Sequence, residues 1–301
     1  MFTIEVLMIL ETCDDVMHVY SPDVEAVQWY FGSRTEDFIL YGIDAFRALI
    51  NDYDFIEVES VGEGNWARKG EPAVTITIHS AEHVHLGNRL ETLLYNTIWY
   101  PSTVGTILTE CKQHLLMNGH DVYKAFPQLG RSSVNVHQTQ VAKNMFQKIF
   151  YELGTTPRPV AFHNNILING EKYCLENYRS IMVDTFNFKS CIETIREMNW
   201  KGDVIIDSAP VEENINYVLE HTQCSVSVAE TCTKDSWRKL VEKYVNNKRV
   251  FFGIGSFAFV NVSRDTFGLV YKTCAVKKNG EWKGVSKNTP NKKTFQGFVR
   301  L

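Results

Sequence analysis

The sequence lacks most of the short motifs that identify a function directly. It contains no Gly-x-x-x-x-Gly-Lys-Ser/Thr loop, no Gly-x-Gly-x-x-Gly fingerprint and no Gly-x-Ser-x-Gly elbow. A phosphate loop of that type, a dinucleotide fingerprint and a hydrolase triad therefore have no support. The seven cysteines are irregularly spaced and form no Cys-x-x-Cys pair. An odd number of scattered cysteines favours reduced thiols in a cytoplasmic protein.

Long apolar runs and an excess of charge are also absent. No apolar run approaches the ~20 residues needed to cross a bilayer. The apolar start, residues 1–10, carries Glu5 and lacks a basic leader, so we expect a strand there rather than a signal peptide. The net charge of −4 gives no general reason to expect a nucleic-acid or membrane partner. The 301 residues are 44% hydrophobic, which is enough for a large folded core.

Clustered metal ligands are missing as well. The cysteines show no zinc-type spacing, and the stretch that holds His79, His83 and His85 has no clear set of partners. We interpret this stretch as a solvated turn, with a metal site as the less favoured alternative. The sequence therefore predicts no metal-ligating residues in the protein.

Five short apolar runs, in contrast, recur at a nearly constant interval, and each ends in a polar residue or a glycine. The terminal residues are His163, Asp184, Asp207, Glu230 and Gly253. The gaps between them are 21, 23, 23 and 23 residues, which is the length of a strand, a helix and two loops. Repeated buried strands joined by helices indicate parallel β/α units. In a barrel of such units, catalytic side chains collect at the C-terminal strand ends.

The chain on either side of these repeats has a different pattern. The first hundred residues suggest mixed α/β structure, including a helix over residues 37–51, and a strand at residues 269–276 leads to a turn at residues 278–280. Because a β/α barrel would already be full, the closing segment is expected to return to the N-terminal region. We predict an α/β fold: an irregular or incomplete β/α barrel over residues 100–256, and a second, discontinuous α/β domain built from both termini, residues 1–99 plus 257–301.

The strand ends carry the candidate chemistry. Glycines in the segment Gly253–Ser256 let backbone N–H groups approach an anion, and a turn after a barrel strand often binds phosphate. Basic residues follow within the next 40: Arg264, Lys272, Lys287, Lys292 and Lys293. With Asp184 and Asp207 on neighbouring strand ends, this set suits a phosphorylated sugar with Mg²⁺. A simple turn beside a solvated lysine face remains the alternative, and His163 is open to a catalytic or a structural role.

Several segments, taken in order, resemble the nicotinamide/nicotinate phosphoribosyltransferases. Near the N-terminus the matching segments are His18-Val19-Tyr20-Ser21-Pro22, Trp29-Tyr30-Phe31-Gly32-Ser33-Arg34 and Trp99-Tyr100-Pro101-Ser102-Thr103-Val104. In the repeats they are Ala161-Phe162-His163-Asn164, Val183-Asp184-Thr185-Phe186 and Ile206-Asp207-Ser208. The closing motifs are the most specific: Gly253-Ile254-Gly255-Ser256, Ser263-Arg264-Asp265, Tyr271-Lys272 and Lys287 to Lys293-Thr294.

The resemblance implies an enzyme of NAD biosynthesis or salvage. Such a glycosyltransferase moves the phosphoribosyl group of phosphoribosyl pyrophosphate (PRPP) to nicotinamide, nicotinate or a related base and releases diphosphate. The catalytic residues it implies are His163, which is phosphorylated in the ATP-coupled members, Asp184, and Asp207, which holds the ribose. The substrate- and phosphate-binding residues it implies are Arg34, Arg131, Gly253, Gly255, Ser256, Arg264, Lys272, Lys287 and Lys293. It also implies Mg²⁺ bound with the diphosphate, ATP as a further cofactor, and a homodimer whose shared sites use Arg34 of the neighbouring subunit.

Other segments depart from the family pattern. Of the Asp-Phe-Gly-x-Arg segment that binds the base, residues 125–131 retain Phe126 and Arg131. The glycine-flanked phosphate turn is replaced by Ala229-Glu230-Thr231. A second hypothesis therefore stays open, a catalytically inactive homologue that binds a nucleotide or phosphoribosyl ligand as a sensor or regulator. A third is the same transfer onto a different base.

Overall fold

The computed structural model describes residues 20–129, 136–150, 160–229, 233–244 and 246–285. The strands within these residues are β1 Val24–Ser33, β2 Phe38–Ile39, β3 Ile56–Ser60, β4 Trp66–Ala67, β5 Pro72–Ile78, β6 Ala125–Pro127, β7 Val160–Ala161, β8 Ser180–Met182, β9 Asp203–Ile206, β10 Ser225–Val228, β11 Val250–Ile254, β12 Leu269–Lys278 and β13 Glu281–Gly284. The α-helices are α1 Ile43–Ile50, α2 Leu86–Leu94, α3 Tyr100–Met117, α4 Val136–Phe150, α5 His163–Asn169, α6 Glu171–Asn177, α7 Phe188–Glu197, α8 Val211–His221, α9 Lys234–Lys243 and α10 Ser256–Phe259. None of these helices combines the length and the apolar character that a membrane span requires.

Two compact units divide the chain. One consists of Met1–Thr106 together with Val262–Leu301, and the other of Ile107–Asn261. The first unit is therefore discontinuous in sequence, while the second contains the five repeats. The domain limits expected from the sequence, after residues 99 and 256, lie near these unit limits and stay a prediction.

The first unit is built on a five-stranded sheet in the order β13-β12-β1-β5-β3. Neighbouring strands in this sheet run antiparallel. One face buries Trp29 and Phe31, and the alternation of side chains along β1 places Tyr30 on the other face. The turn predicted at residues 278–280 is confirmed. It joins β12 to β13, and Asn279 and Gly280 both have positive φ, as a two-residue hairpin turn requires.

The helix predicted over residues 37–51 is wrong in its first part. Residues 38–39 form β2, which pairs with β4, and α1 begins only at Ile43. Gly42 precedes the helix in the left-handed region at φ 85°, where a residue without a Cβ is favoured. A Glu63 carboxylate oxygen accepts hydrogen bonds from the backbone N–H groups of Gly42 and Ile43, at 2.8 and 3.1 Å. The start of the helix is thus capped by a residue 20 positions away, which local periodicity does not reveal.

The second unit contains a six-stranded sheet in the order β6-β11-β10-β9-β8-β7. All five strand pairs are parallel. The five apolar runs supply β7 to β11, and β6 adds a sixth strand beside β11. Among the described residues β6 and β7 do not pair, so the sheet is an open half-barrel. The mixed α/β fold and the incomplete parallel barrel expected from the sequence are confirmed to this extent.

Side chains alternate between the two faces of the parallel sheet. Val204 and Ile206 are buried on the face of β9 that packs against α8. Asp203, Ile205 and Asp207 belong to the opposite face, because the side-chain period of a strand is two. On that face the Ser227 hydroxyl donates a hydrogen bond of 2.8 Å to Asp203. The same alternation directs the residues that follow each strand toward one face and one edge of the sheet.

Arg249, at the entrance to β11, ties the end of α8 to the sheet. Its guanidinium donates to the carbonyl oxygens of Leu219, Thr222 and Cys224, at 2.6, 2.8 and 3.2 Å. The last carbonyls of a helix lack intrahelical partners, and a cation there also meets the negative end of the helix dipole. This side chain therefore stabilises the packing between one helix and the neighbouring strands.

Replacing Arg249 with methionine keeps much of the apolar stem and removes these hydrogen bonds. We expect the free energy of unfolding to fall by about 1.5–3 kcal/mol, the usual contribution of hydrogen bonds to a charged group. Urea unfolding followed by circular dichroism measures the change. Arg196→Met is the control, because Arg196 is exposed in the last turn of α7 and should change stability by less than about 0.5 kcal/mol. Equal losses in the two variants would contradict the role of Arg249.

Candidate active site

Three side chains from successive β/α units meet at the C-terminal edge of the parallel sheet. His163 begins α5 after β7, Asp184 follows β8 and Asp207 follows β9. Nε2 of His163 lies 3.5 Å from Oδ2 of Asp207 and 3.9 Å from Oδ1 of Asp184. The structure thus brings together the three residues selected from the sequence, while their catalytic roles stay a prediction.

The two carboxylates lie close enough to affect each other. Burial raises the pKa of Asp207, and the neighbouring Asp184 raises that pKa further, whereas His163 opposes the shift. The side chains of Asp184 and Asp207 are only 17% and 22% exposed, so water screens their repulsion weakly. Two carboxylates in one site are unfavourable unless a proton or a cation lies near them.

The arrangement also suits a divalent cation. The ligand atoms of His163, Asp184 and Asp207 lie within 4.8 Å of one another. Oδ1 of Asp184 is buried and receives no hydrogen bond from the described residues. Carboxylate oxygens are the protein ligands that Mg²⁺ prefers. These three residues were not predicted as metal ligands, because residues more than 20 positions apart converge only in the folded sheet.

Two hydroxyl groups that the sequence analysis did not select contact this cluster. Oγ1 of Thr185 is 2.9 Å from Nδ1 of His163. The Ser208 hydroxyl donates a hydrogen bond to Oδ2 of Asp184. Each hydroxyl directly follows a strand-end aspartate in the sequence, and this adjacency is the signal that could have identified it.

The glycine segment at the end of β11 lies along the same edge of the sheet. A Cβ atom on Gly253 would be 2.7 Å from the backbone carbonyl oxygen of Val228, so a side chain at this position conflicts with the neighbouring strand. Ser256 begins α10 and is exposed. Gly253, Gly255 and Ser256 are thus placed together as expected, and their binding of phosphate stays a prediction.

Residues at the end of β6 pack against this glycine segment. Phe126 pairs with Gly253 in the sheet register, and its ring would be 3.1 Å from a Cβ on Gly253. The backbone N–H of Gln128 donates a hydrogen bond of 2.7 Å to the carbonyl oxygen of Ile254. The side-chain Oε1 of Gln128 would be 3.1 Å from a Cβ on either Gly253 or Gly255. Phe126 is retained from the family's base-binding segment, whereas no role for Gln128 was predicted from the sequence, because its neighbours belong to a strand more than 120 residues away.

The remaining basic residues selected from the sequence belong to the first unit or lie outside the described residues. Lys272 is exposed on β12 directly opposite Tyr30. Burial raises the pKa of Tyr30 to about 12, and the nearby charge of Arg34 opposes this rise. Arg264 is exposed, and its interaction with the Tyr95 side chain raises the pKa of the guanidinium. The strand end Glu230 lies outside the described residues, as do four further basic residues: Arg131, Lys287, Lys292 and Lys293.

The histidines of the stretch 79–85 have separate partners. Nε2 of His79 is 2.8 Å from a Glu57 carboxylate oxygen. Nδ1 of His83 is 2.7 Å from the Ser80 hydroxyl, and its ring stacks on Phe55. Nδ1 of His85 is 2.9 Å from the carbonyl oxygen of residue 82. These contacts give each ring its own local environment.

The two glycines of the β11 segment should differ in their tolerance of a side chain. In Gly253→Ala the new Cβ meets the backbone of β10, so we expect a loss of about 1–3 kcal/mol in the free energy of unfolding. In Gly255→Ala the nearest atoms belong to the Gln128 side chain, at 3.1–3.5 Å, which can move aside. Gly255→Ala is therefore the matched control, with a loss below about 1 kcal/mol. Urea unfolding compares the two, and a larger loss for Gly255→Ala would show that the packing is not as described.

Comparison with known proteins gives short sequence matches. No family model matches the chain. The nicotinamide phosphoribosyltransferase of Mycoplasma genitalium is 46% identical over 41 residues, which are 14% of this chain and 9% of that protein. The nicotinamide phosphoribosyltransferase of Mycoplasma pneumoniae is 28% identical over 103 residues, which are 33% of this chain and 19% of that protein. The matched segments therefore span less than a fifth of the length of either curated relative.

Comparison with solved structures gives similarity over most of the chain. The nicotinate-nucleotide pyrophosphorylase from Pyrococcus furiosus matches with a TM-score of 0.61 and 15% identity, over 95% of this chain and 76% of that one. The enzyme of the same name from Francisella tularensis matches with a TM-score of 0.59 and 12% identity, over 90% of this chain and 95% of that one. At such low identity the likeness concerns the fold. In fold the chain is similar to nicotinate-nucleotide pyrophosphorylases, and its sequence matches confirm the resemblance to the nicotinamide/nicotinate phosphoribosyltransferases.

Proposed function

We propose that this protein is a phosphoribosyltransferase of NAD metabolism that transfers phosphoribosyl from PRPP to nicotinamide, nicotinate or a related base and releases diphosphate. The observation that carries the proposal is the convergence of His163, Asp184 and Asp207 at the C-terminal edge of the half-barrel sheet. The fold similarity to nicotinate-nucleotide pyrophosphorylases and the sequence matches to nicotinamide phosphoribosyltransferases support the same class of reaction.

The phosphorylated ribose would lie along this sheet edge. The Asp207 carboxylate accepts hydrogen bonds, as recognition of ribose hydroxyls requires. The 5′-phosphate would bind at Gly253–Ser256, where the exposed Ser256 hydroxyl and the backbone N–H groups of the turn are donors for an anion. One strand, β10, lies between β9 and β11, so the two ends of the ribose phosphate would contact different β/α units.

The reaction breaks the bond between C1′ and the diphosphate oxygen and forms a bond between C1′ and a ring nitrogen of the base. Positive charge develops at C1′, and the carboxylate of Asp184 can stabilise it. Negative charge accumulates on the departing diphosphate, for which we assign Arg34, Arg264 and Lys272 as binding cations, together with the residues outside the described ranges: Arg131, Lys287 and Lys293. Positioning and fixed charge thus supply most of the rate acceleration. His163 is assigned as the phosphoryl acceptor if ATP is coupled to the reaction.

Mg²⁺ is proposed to enter with the diphosphate of PRPP. The carboxylates of Asp184 and Asp207 would hold it, and the buried Oδ1 of Asp184, which accepts no hydrogen bond from the part of the chain that the structure describes, fits that role. When bound, the ion supplies positive charge that neutralises the leaving diphosphate. His163 is the less suitable ligand, because Mg²⁺ prefers oxygen to imidazole nitrogen.

A homodimer with shared sites belongs to the same proposal. Lys272 is exposed beside Tyr30, and the charge of Arg34 acts on the same phenol. Two cations near one another on an accessible sheet face are available to an anionic substrate held by a second subunit. Arg34 is thus assigned to the site of the neighbouring subunit.

The second candidate function is binding of a phosphoribosyl ligand without turnover. It is favoured by Gln128, whose side chain packs on the Cα positions of Gly253 and Gly255 beside the proposed phosphate site. A side chain in this place reduces the space for a ligand that approaches the turn from that side. Such a protein would act as a sensor or a regulator.

The first test measures diphosphate release from PRPP and Mg²⁺ with nicotinamide, nicotinate and other nucleobases, with and without ATP. We expect release with at least one base and a loss of about 10²–10³ in rate in Asp207→Asn, because a group that contacts the reacting ribose is lost. Asp235→Asn is the matched control, since Asp235 is exposed in the first turn of α9. Full activity in Asp207→Asn would rule out the assigned site. Calorimetric binding of PRPP without release for any base would favour the second candidate.

The second test mixes Arg34→Ala with Asp207→Asn, two variants that are each expected to lose activity. If each site takes Arg34 from one subunit and Asp207 from the other, subunit exchange creates some sites with both native residues. We therefore expect diphosphate release to recover partly on mixing, and light scattering to give the mass of a dimer. A dimer that shows no recovery after exchange of its subunits would argue for a site within one chain.

A further inference from the structure

We propose that Thr185 is a positioning residue that holds the imidazole of His163 with Nε2 facing Asp184 and Asp207. The resemblance assigns a role to His163 and to each aspartate but none to Thr185. The effect of Thr185 on catalysis rests on the proposed function, because only that function gives His163 a catalytic role. The orientation of the ring can be tested without it.

The contacts of the imidazole define its orientation. Nδ1 of His163 is 2.9 Å from Oγ1 of Thr185, a normal hydrogen-bond distance. Nε2 lies 3.5 Å from Oδ2 of Asp207 and 3.9 Å from Oδ1 of Asp184. The hydrogen bond that one ring nitrogen makes determines where the other nitrogen points. Thr185 therefore occupies one side of the ring, and the carboxylates and the substrate are left with the other.

The hydroxyl of Thr185 can pair with either form of Nδ1, because it has one proton to donate and lone pairs that accept. The contact with Nδ1 at 2.9 Å therefore sets the direction of the ring whether or not Nδ1 carries a proton. Nε2 is left facing the carboxylates of Asp184 and Asp207.

Threonine suits this role better than a flexible side chain. Its β-branched χ1 is stiff, so the hydroxyl is held in a defined direction. His163 is 32% exposed, and without this hydrogen bond its ring would be freer to rotate. Thr185 also follows Asp184 directly, so one loop after β8 supplies both the hydroxyl that contacts Nδ1 and a carboxylate that faces Nε2.

The test compares Thr185→Val, which keeps the shape of the side chain, with Thr185→Ser, which keeps the hydroxyl. Long-range ¹H–¹⁵N NMR spectra resolve the two nitrogens of each histidine ring, and the signal missing in His163→Gln identifies His163 among the nine histidines. We expect a hydrogen-bonded Nδ1 in the wild type and in Thr185→Ser. In Thr185→Val the Nδ1 resonance should shift to that of a nitrogen without this bond.

The activity measurement adds a second readout. We expect Thr185→Val to lower kcat for diphosphate release by about 10–10²-fold through misplacement of the ring, with little change in KM for PRPP. Thr185→Ser should keep most of the activity. Thr194→Val is the matched control, because the Thr194 hydroxyl bonds the Ser190 carbonyl within α7 and has no contact with His163. If Thr185→Val does not fold, Thr185→Ala removes the same hydroxyl without the added methyl group.

The outcomes separate this inference from the proposed function. Identical His163 ring spectra in the wild type, Thr185→Val and Thr185→Ser would overturn the role of Thr185, whatever the activity. An Nδ1 resonance that shifts in Thr185→Val and not in Thr185→Ser supports it, even if the wild type releases no diphosphate with any base. That last result would instead overturn the proposed transferase activity.

Discussion

Parallel pairing of the repeated strands is the constraint on which the rest of the second unit depends. Strands β7 to β11 run in one direction, so the residues that follow them share one edge of the sheet. His163, Asp184 and Asp207 come together there although more than 20 residues separate each from the next. The same pairing restricts Gly253, where a Cβ would meet the carbonyl oxygen of β10. Site geometry and strand packing thus have one physical origin.

The site concentrates charge that the fold must stabilise locally. Two half-buried carboxylates repel each other, and burial together with this repulsion raises the pKa of Asp207. The hydrogen bond from Ser208 to Asp184 and the position of His163 beside both aspartates offset part of that cost. Such strain is common where a protein binds a cation or an anionic substrate. The cluster therefore fits the ligand-binding role that we propose for it.

The first unit carries a different kind of charged group. Its sheet presents Lys272 beside Tyr30, the charge of Arg34 acts on the same phenol, and Arg264 interacts with Tyr95. These cations are exposed, whereas the carboxylates of Asp184 and Asp207 in the second unit are half-buried.

Local sequence determined the features that depend on neighbouring residues. The five apolar runs predicted five parallel strands and their polar ends, and Asn279-Gly280 predicted a turn, because both follow from short-range periodicity and backbone preference. Tertiary structure alone decided where α1 begins, since Glu63 caps it from a distant loop, and which hydroxyls hold the site, since Thr185 and His163 belong to different β/α units. It also decided that β6 joins the sheet beside β11. Contacts between segments far apart in the chain depend on the order in which the strands pair, and local periodicity does not predict that order.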